Sequence, residues 1–178
     1  MTRRRFAILD RDGTVIRERH YLANPDDVEV YPSAIEGIKG LQALGLGIVI
    51  VTNQSAVGRG IIDLARLNEI HQRMIRLLGE HDIVVDGIYF CPHHPEDECH
   101  CRKPKPGMVL QAAREHGFDP AEALYFGDKP CDIDLGNRLD GVTFLVRTGY
   151  GKEYEHQKNL GAHHIVDSIN DAVSLICL

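Results

Sequence analysis

Short, continuously apolar runs recur along this chain, and stretches of helical periodicity separate them. "GIVIVTN" (Gly47 to Asn53) is the clearest, rich in β-branched residues and without a polar alternate position. Strands buried on both faces read this way. Phe6 to Leu9, Asp86 to Cys91, Ala123 to Asp128, Val142 to Val146 and His164 to Val166 read as further strands. Between them, Ile35, Ile38, Leu41 and Leu44 recur near helical period. Pro32 and Ser33 open that helix, Ser33 and Glu36 have the spacing of a capping box, and Gly45 can close it. A long helix from Asp63 carries Leu64, Leu67, Ile70, Met74, Leu77 and Leu78, and Gly107 to His116 and a segment from Ser168 are helical in pattern.

Such β-α alternation predicts an α/β fold, a Rossmann-like parallel sheet with helices on both faces. The 178 residues suit one domain spanning 1–178. No linker, repeat or low-complexity tract interrupts it, and the short segments between strands leave no room for a large cap domain.

Ligands of open α/β sheets bind beyond the carboxyl ends of the strands. Three polar clusters stand at such ends: Asp10 and Asp12, Thr52 and Asn53, Asp128 and Lys129. Two carboxylates one residue apart repel, and Gly13 lets the chain turn at once behind them. A nearby cation would keep both ionised, Asp128 could add a third acidic ligand, and an oxygen-rich site suits Mg²⁺. Lys103 and Lys129 could then balance a phosphate.

Five cysteines is an odd number, and three crowd into Cys91 to Cys101. In "CPHHPEDECHC", Cys91, His93, Cys99 and Cys101 form C-x-H-x5-C-x-C, a donor set suited to tetrahedral Zn²⁺. His94 and His100 are alternative imidazoles, with His93 preferred. A loop with two prolines and no apolar face has no core of its own, so a metal would clamp it. Four protein ligands leave no position for water, which makes the zinc structural. The clamped loop would hold Arg102 and Lys103 over the site. Cys131 and Cys177 are expected to be small buried residues.

The net charge of −6 argues against general nucleic-acid binding. No apolar stretch approaches the length of a membrane helix, and "MTRRR" leads into too short an apolar run for a signal peptide. Those arginines read as a solubilising tail, and the chain as a cytoplasmic monomer without membrane or nucleic-acid partners.

"DRDGT", "VTNQS", "CRKPKPGM" and "GDKPCD", in that order, resemble the haloacid-dehalogenase-like phosphatases. Within these, the chain is most similar to the D-glycero-D-manno-heptose 1,7-bisphosphate phosphatase family, which lies near the histidinol-phosphate phosphatases. The resemblance implies that Asp10 is a nucleophile forming an aspartyl-phosphate, and that Asp12 is a general acid and then a base. It implies that Asp10, the backbone carbonyl of Asp12, and Asp128 hold Mg²⁺. Thr52 would bind the transferring phosphoryl group, Lys103 would neutralise it, and Lys129 would support the nucleophile and metal. Glu18, Arg19, His20 and Tyr21 would line the sugar pocket. Asn53, Gln54 and Ser55 would meet sugar hydroxyls, and Arg102 a second phosphate. The same resemblance points to Cys91, His93, Cys99 and Cys101 as zinc ligands.

The implied reaction is removal of the 7-phosphate from a heptose bisphosphate in nucleotide-heptose synthesis for lipopolysaccharide core. The alternative is histidinol-phosphate hydrolysis; the x5 spacing between His93 and Cys99 is found there too. "NQS…GRG", "KPGM" and "LVRTGYG" look more like the heptose enzymes. Ile16 stands where those enzymes often carry Asn. A non-catalytic zinc module is opposed by the intact Asp10, Asp12, Lys103 and Asp128.

Overall fold

The structure, a computed structural model, describes residues 4–176. Arg3 and Cys177 lie outside that range. Six strands, β1 (Phe6–Leu9), β2 (Gly47–Asn53), β3 (Gly87–Cys91), β4 (Leu124–Gly127), β5 (Val142–Val146) and β6 (His164–Val166), form one sheet. Their order is β3-β2-β1-β4-β5-β6, and every pairing is parallel.

Seven helices connect them: α1 (Pro32–Ala43), α2 (Ser55–Gly58), α3 (Leu64–Gly79), α4 (Gly107–His116), α5 (Pro130–Arg138), α6 (Gly151–Tyr154) and α7 (Ile169–Ile176). Side chains alternate across the pleat. Ala7, Leu9, Ile48, Ile50 and Phe126 face α1, α3 and α7 in the larger core. Phe6, Ile8, Val49, Val51 and Tyr125 face α4 and α5 on the other side. Both faces being covered, the strands had to read as continuous apolar runs. A fully buried side chain such as Ile38 or Leu41 contributes about 1.5–3 kcal/mol over an exposed one.

Local details differ from the sequence reading. The Ser33–Glu36 capping box does not form. Pro32 takes the first helical position, where a missing N–H costs nothing, so Ser33 lies inside α1 and Tyr31 caps it without a side-chain bond. Gly45 does close that helix, with φ 82° and its N–H donating to the carbonyl of Gln42. Leu44 and Leu64, expected on apolar faces, sit at helix ends and are 42% and 55% exposed. Asp63 caps α3 by accepting from the Arg66 N–H at 2.7 Å.

The decisive feature is the position of β1. The chain builds outward from it in both directions, so β1 is the switch point of the sheet, with β2 on one side and β4 on the other. The carboxyl ends of these three strands lie side by side and open a crevice there. Asp10, Thr52 with its neighbour Asn53, and Asp128 stand at those three ends. Among the described residues, no helix is long and apolar enough to cross a membrane.

Candidate active site

Asp10 follows β1 directly, and its N–H donates to the carbonyl of Phe126 at 2.9 Å, which ties it to β4. Its Oδ1 is 2.7 Å from Nζ of Lys103. The same ammonium lies 2.6 Å from Oδ1 of Asp132 and donates to the carbonyl of Val51 at 2.7 Å. All three side chains are buried. Burial alone would lower the Lys103 pKa, but Asp10 and Asp132 hold it above the usual lysine range, so the side chain stays cationic.

Asp128 completes the acidic group. Oxygens of Asp10, Asp128 and Asp132 lie within 4.8 Å of one another. Oδ2 of Asp128 accepts from the Tyr150 N–H at 2.8 Å, while its buried Oδ1 has no hydrogen-bond partner. Burial, and then the charge of Asp10, pushes the Asp128 carboxyl up to about 8; burial pushes Asp132 to about 6 against the pull of Lys103. Crowded oxygen donors with an unpaired buried lone pair fit a hard divalent cation. Two glycines make the cradle. A Cβ at Gly13 (φ 86°) or at Gly149 (φ 54°) would meet Oδ2 of Asp128 at 2.2 Å.

Asp12 turns away from that group into a second network. Arg11 donates from Nε to Oδ2 of Asp12 at 3.0 Å and from Nη2 to Oδ1 at 2.9 Å. Nη2 also donates to Oε1 of Gln54 at 2.9 Å. Gln54 in turn donates from Nε2 to Oδ2 of Asp12 at 2.7 Å and to Oγ1 of Thr52 at 2.8 Å. Burial would raise the Asp12 pKa, but the guanidinium and the Gln54 amide hold it below the usual carboxylate range. His71, on α3, is pushed down to about 3 by burial and by the charge of Arg11, and stays neutral.

A pocket of about 250 Å³ joins both networks. Glu18, His20, Tyr21, Asn53, Gln54, Ser55, Arg102 and Lys129 line it. One expected lining residue, Arg19, lies elsewhere. It pairs with Glu29 at 3.1 Å, beside Arg17 and next to a neighbouring cleft. The Asn53 amide exchanges hydrogen bonds with the Lys103 backbone, at 3.0 and 3.3 Å, and the Gln54 amide bonds Arg11, Asp12 and Thr52. Lys129 pairs with Glu18 at 2.9 Å, and its charge also acts on Asp128 and Asp10 without a direct hydrogen bond. Arg102 presents a buried Nη1 without a hydrogen-bond partner. Ile16 is fully buried in the larger core and does not line the pocket. Cys131, expected to be buried, is half-buried in the pocket wall.

Sequence reasoning missed Asp132, Gly149 and Tyr150 as parts of the site. The signal for Asp132 was its place one helical turn beyond Asp128, in the first turn of α5. Gly149 and Tyr150 carried none, because their contact with Asp128 depends on how the loop after β5 returns.

The loop after β3 gathers Cys91, His93, Cys99 and Cys101. Sγ of Cys91 is 3.7 Å from that of Cys99, and Nδ1 of His93 is 3.5 and 3.2 Å from Sγ of Cys91 and Cys101. These spacings exceed a disulfide bond, about 2.05 Å. They match the edges of a tetrahedron with metal–sulfur bonds of about 2.3 Å, whose S···S edge is about 3.8 Å. His94 stays outside, its Nδ1 accepting from the Glu96 N–H.

A family model described as HAD-hydrolase-like matches residues 100–172. The D-glycero-β-D-manno-heptose-1,7-bisphosphate 7-phosphatase of Photorhabdus laumondii is 36% identical over 171 residues, covering 92% of this chain and 90% of that protein. The chain belongs to this phosphatase family, within the HAD-like hydrolases. The family's Pseudomonas aeruginosa member is 39% identical over 149 residues, 83% of this chain and 84% of its own. The crystal structure of the D,D-heptose 1,7-bisphosphate phosphatase of B. bronchiseptica, complexed with magnesium and phosphate, superposes with a TM-score of 0.89 at 34% identity. It covers 97% of this chain and 98% of that one. The family fold thus extends over essentially the whole chain, and the acidic group stands at its switch point.

Proposed function

We propose that this chain is a Mg²⁺-dependent phosphatase that removes the 7-phosphate of D-glycero-D-manno-heptose 1,7-bisphosphate through a phosphoaspartate. The observation that carries the reading is the meeting of Asp10, Lys103, Thr52 and Asp128 at one crevice, in a chain whose relatives bear that enzyme's name. The same names favour a heptose over histidinol phosphate.

A carboxylate oxygen of Asp10 attacks phosphorus, and the bond from phosphorus to the sugar oxygen breaks. Asp12, which Arg11 and Gln54 hold ionised in the free enzyme, takes up a proton before this step and gives it to that oxygen. Asp12 then takes a proton from a water that attacks the phosphoaspartate, and inorganic phosphate leaves with Asp10 restored. Lys103 and Thr52 face the oxygens on which charge builds, in a buried setting where such contacts weigh most. Asp10, Asp128 and the Asp12 backbone carbonyl would hold Mg²⁺, with Asp132 as a further nearby carboxylate. When bound, the ion neutralises phosphate charge. Arg102, with its unpartnered donor at the pocket wall, is suited to the substrate's second phosphate.

The loop donors Cys91, His93, Cys99 and Cys101 would hold Zn²⁺ in a closed shell with a structural task. Cys101 adjoins Arg102 and Lys103, so fixing the loop fixes both cations.

Steady-state kinetics on the β and α heptose 1,7-bisphosphates, histidinol phosphate and hexose phosphates test the substrate. The highest kcat/KM is expected for a heptose bisphosphate, the β anomer being the one that the relatives' names specify. A clear preference for histidinol phosphate would overturn the reading.

A further inference from the structure

We propose that Arg11 is a positioning residue, whose buried guanidinium, cross-braced by Gln54, fixes the orientation of the Asp12 carboxylate beside Thr52. The inference rests on the phosphatase reading above and assigns it a further part.

The geometry is a closed ring. Arg11 meets both oxygens of Asp12 and also Gln54, and Gln54 returns to Asp12 and reaches Thr52. A planar fork on a carboxylate sets the plane of that carboxylate, which a single-point cation does not do. Oδ2 of Asp12 thereby stands 3.5 Å from Oγ1 of Thr52, the hydroxyl assigned to the phosphoryl group. A proton donor has to meet an oxygen bonded to the same phosphorus.

A purely stabilising role explains the arrangement poorly. Arg11 is only 1% exposed, and its Nη1 has no hydrogen-bond partner. A buried ion left partly unsatisfied is a costly element of a fold. Arg11 and Asp12 are chain neighbours, so the fork between them adds no long-range tie; the link to the end of β2 is made through Gln54. What the pair does accomplish is local: it sets where the acid points. Small misplacements of a reacting group cost about 100-fold in rate.

The test uses two esters that differ in their need for a proton donor. Heptose 1,7-bisphosphate releases an alkoxide and needs one; 4-nitrophenyl phosphate releases a stable phenolate and needs little help. The value of kcat/KM reports the step in which the ester bond breaks. In Arg11→Met, kcat/KM for the heptose ester should fall about 100-fold and for the aryl ester less than about 10-fold. Arg11→Lys keeps a buried cation but not the fork; it covers the case in which the methionine variant does not fold, and should still lose the alkyl ester selectively. Calorimetric titration with Mg²⁺ alone should give wild-type affinity within about threefold, since Asp10, Asp128 and Asp132 are untouched.

Equal losses on both esters, or a tenfold loss of Mg²⁺ affinity, would make Arg11 a structural residue and overturn the proposal. Should the wild type not hydrolyse the heptose ester, the substrate reading falls separately. Fructose 1,6-bisphosphate then serves as the alkyl ester, and the same ratio decides the role of Arg11.

Discussion

Nζ of Lys103 lies 2.7 Å from Oδ1 of Asp10, although the two residues are 93 positions apart in the chain. The contact joins the end of β1 to the segment that follows the cysteine loop. Its ammonium is shared among Asp10, Asp132 and the Val51 carbonyl. Removing one charged partner should loosen it. Asp132→Asn is expected to lower kcat about 10–100-fold with a smaller change in KM. It should also cost about 2 kcal/mol of stability. Steady-state kinetics with a thermal melt checks both, and unchanged kcat would release Asp132 from this role.

Asp128 gives a pH dependence with a definite sign. Its carboxyl has the ordinary value of 3.8 when unfolded and is pushed up to about 8 by burial and the charge of Asp10 in the metal-free native state. Between those values the native state binds the extra proton, so stability falls as pH rises through the window. His71 acts in the opposite sense, since it is lowered from 6.5 to about 3, but its contribution is complete above about pH 6.5. Metal-free protein melted at pH 6.5 and 8.5 should therefore lose about 1–2 kcal/mol more in the wild type than in Asp128→Asn. Added Mg²⁺ should stabilise the wild type more at pH 8.5 than at pH 6.5. Parallel melting curves for the two proteins would contradict this.

Gly149 makes a purely steric prediction. In Gly149→Ala the new Cβ would sit 2.2 Å from Oδ2 of Asp128 and 2.6 Å from Cα of Gly13, at a φ of 54°. Something must shift, and the nearest group is the proposed metal ligand. Mg²⁺ affinity measured by calorimetry should drop at least about tenfold, as it does when the shell supporting a metal site is disturbed. Wild-type affinity would mean that the loop yields instead.

The cysteine loop should carry zinc, and its loss should be felt at Lys103. Cys99→Ser is expected to abolish zinc by elemental analysis and to lower kcat/KM at least about tenfold, because Arg102 and Lys103 follow the loop directly. A zinc-free variant with full activity would separate the loop from the site.

The sequence made the sheet legible because both its faces are covered: the run from Gly47 stays apolar as far as Val51, and Gly47–Asn53 matches β2. Asp10, Thr52 and Asp128 were legible because parallel topology predicts that strand ends converge. The contacts of Asn53, Gln54 and Arg19 were not. Each depends on which of several polar neighbours lies nearest, and for Asn53 that neighbour is a backbone 50 residues away. The capping box at Ser33 failed because Pro32 takes the first helical position and puts the N-cap at Tyr31, two residues earlier. Gly149 was invisible because a loop glycine has a meaning only once the atom beside it is known.

The phosphoaspartate is the central claim, and it can be trapped. Enzyme quenched in acid during turnover is reduced with borohydride, which converts an aspartyl-phosphate to homoserine, and the peptides are weighed. Homoserine is expected at position 10 in the wild type and at no position in Asp10→Asn, which should also lack turnover while remaining folded. Steady turnover by the wild type with Asp10 unmodified, or continued Mg²⁺-dependent hydrolysis by Asp10→Asn, would contradict the account.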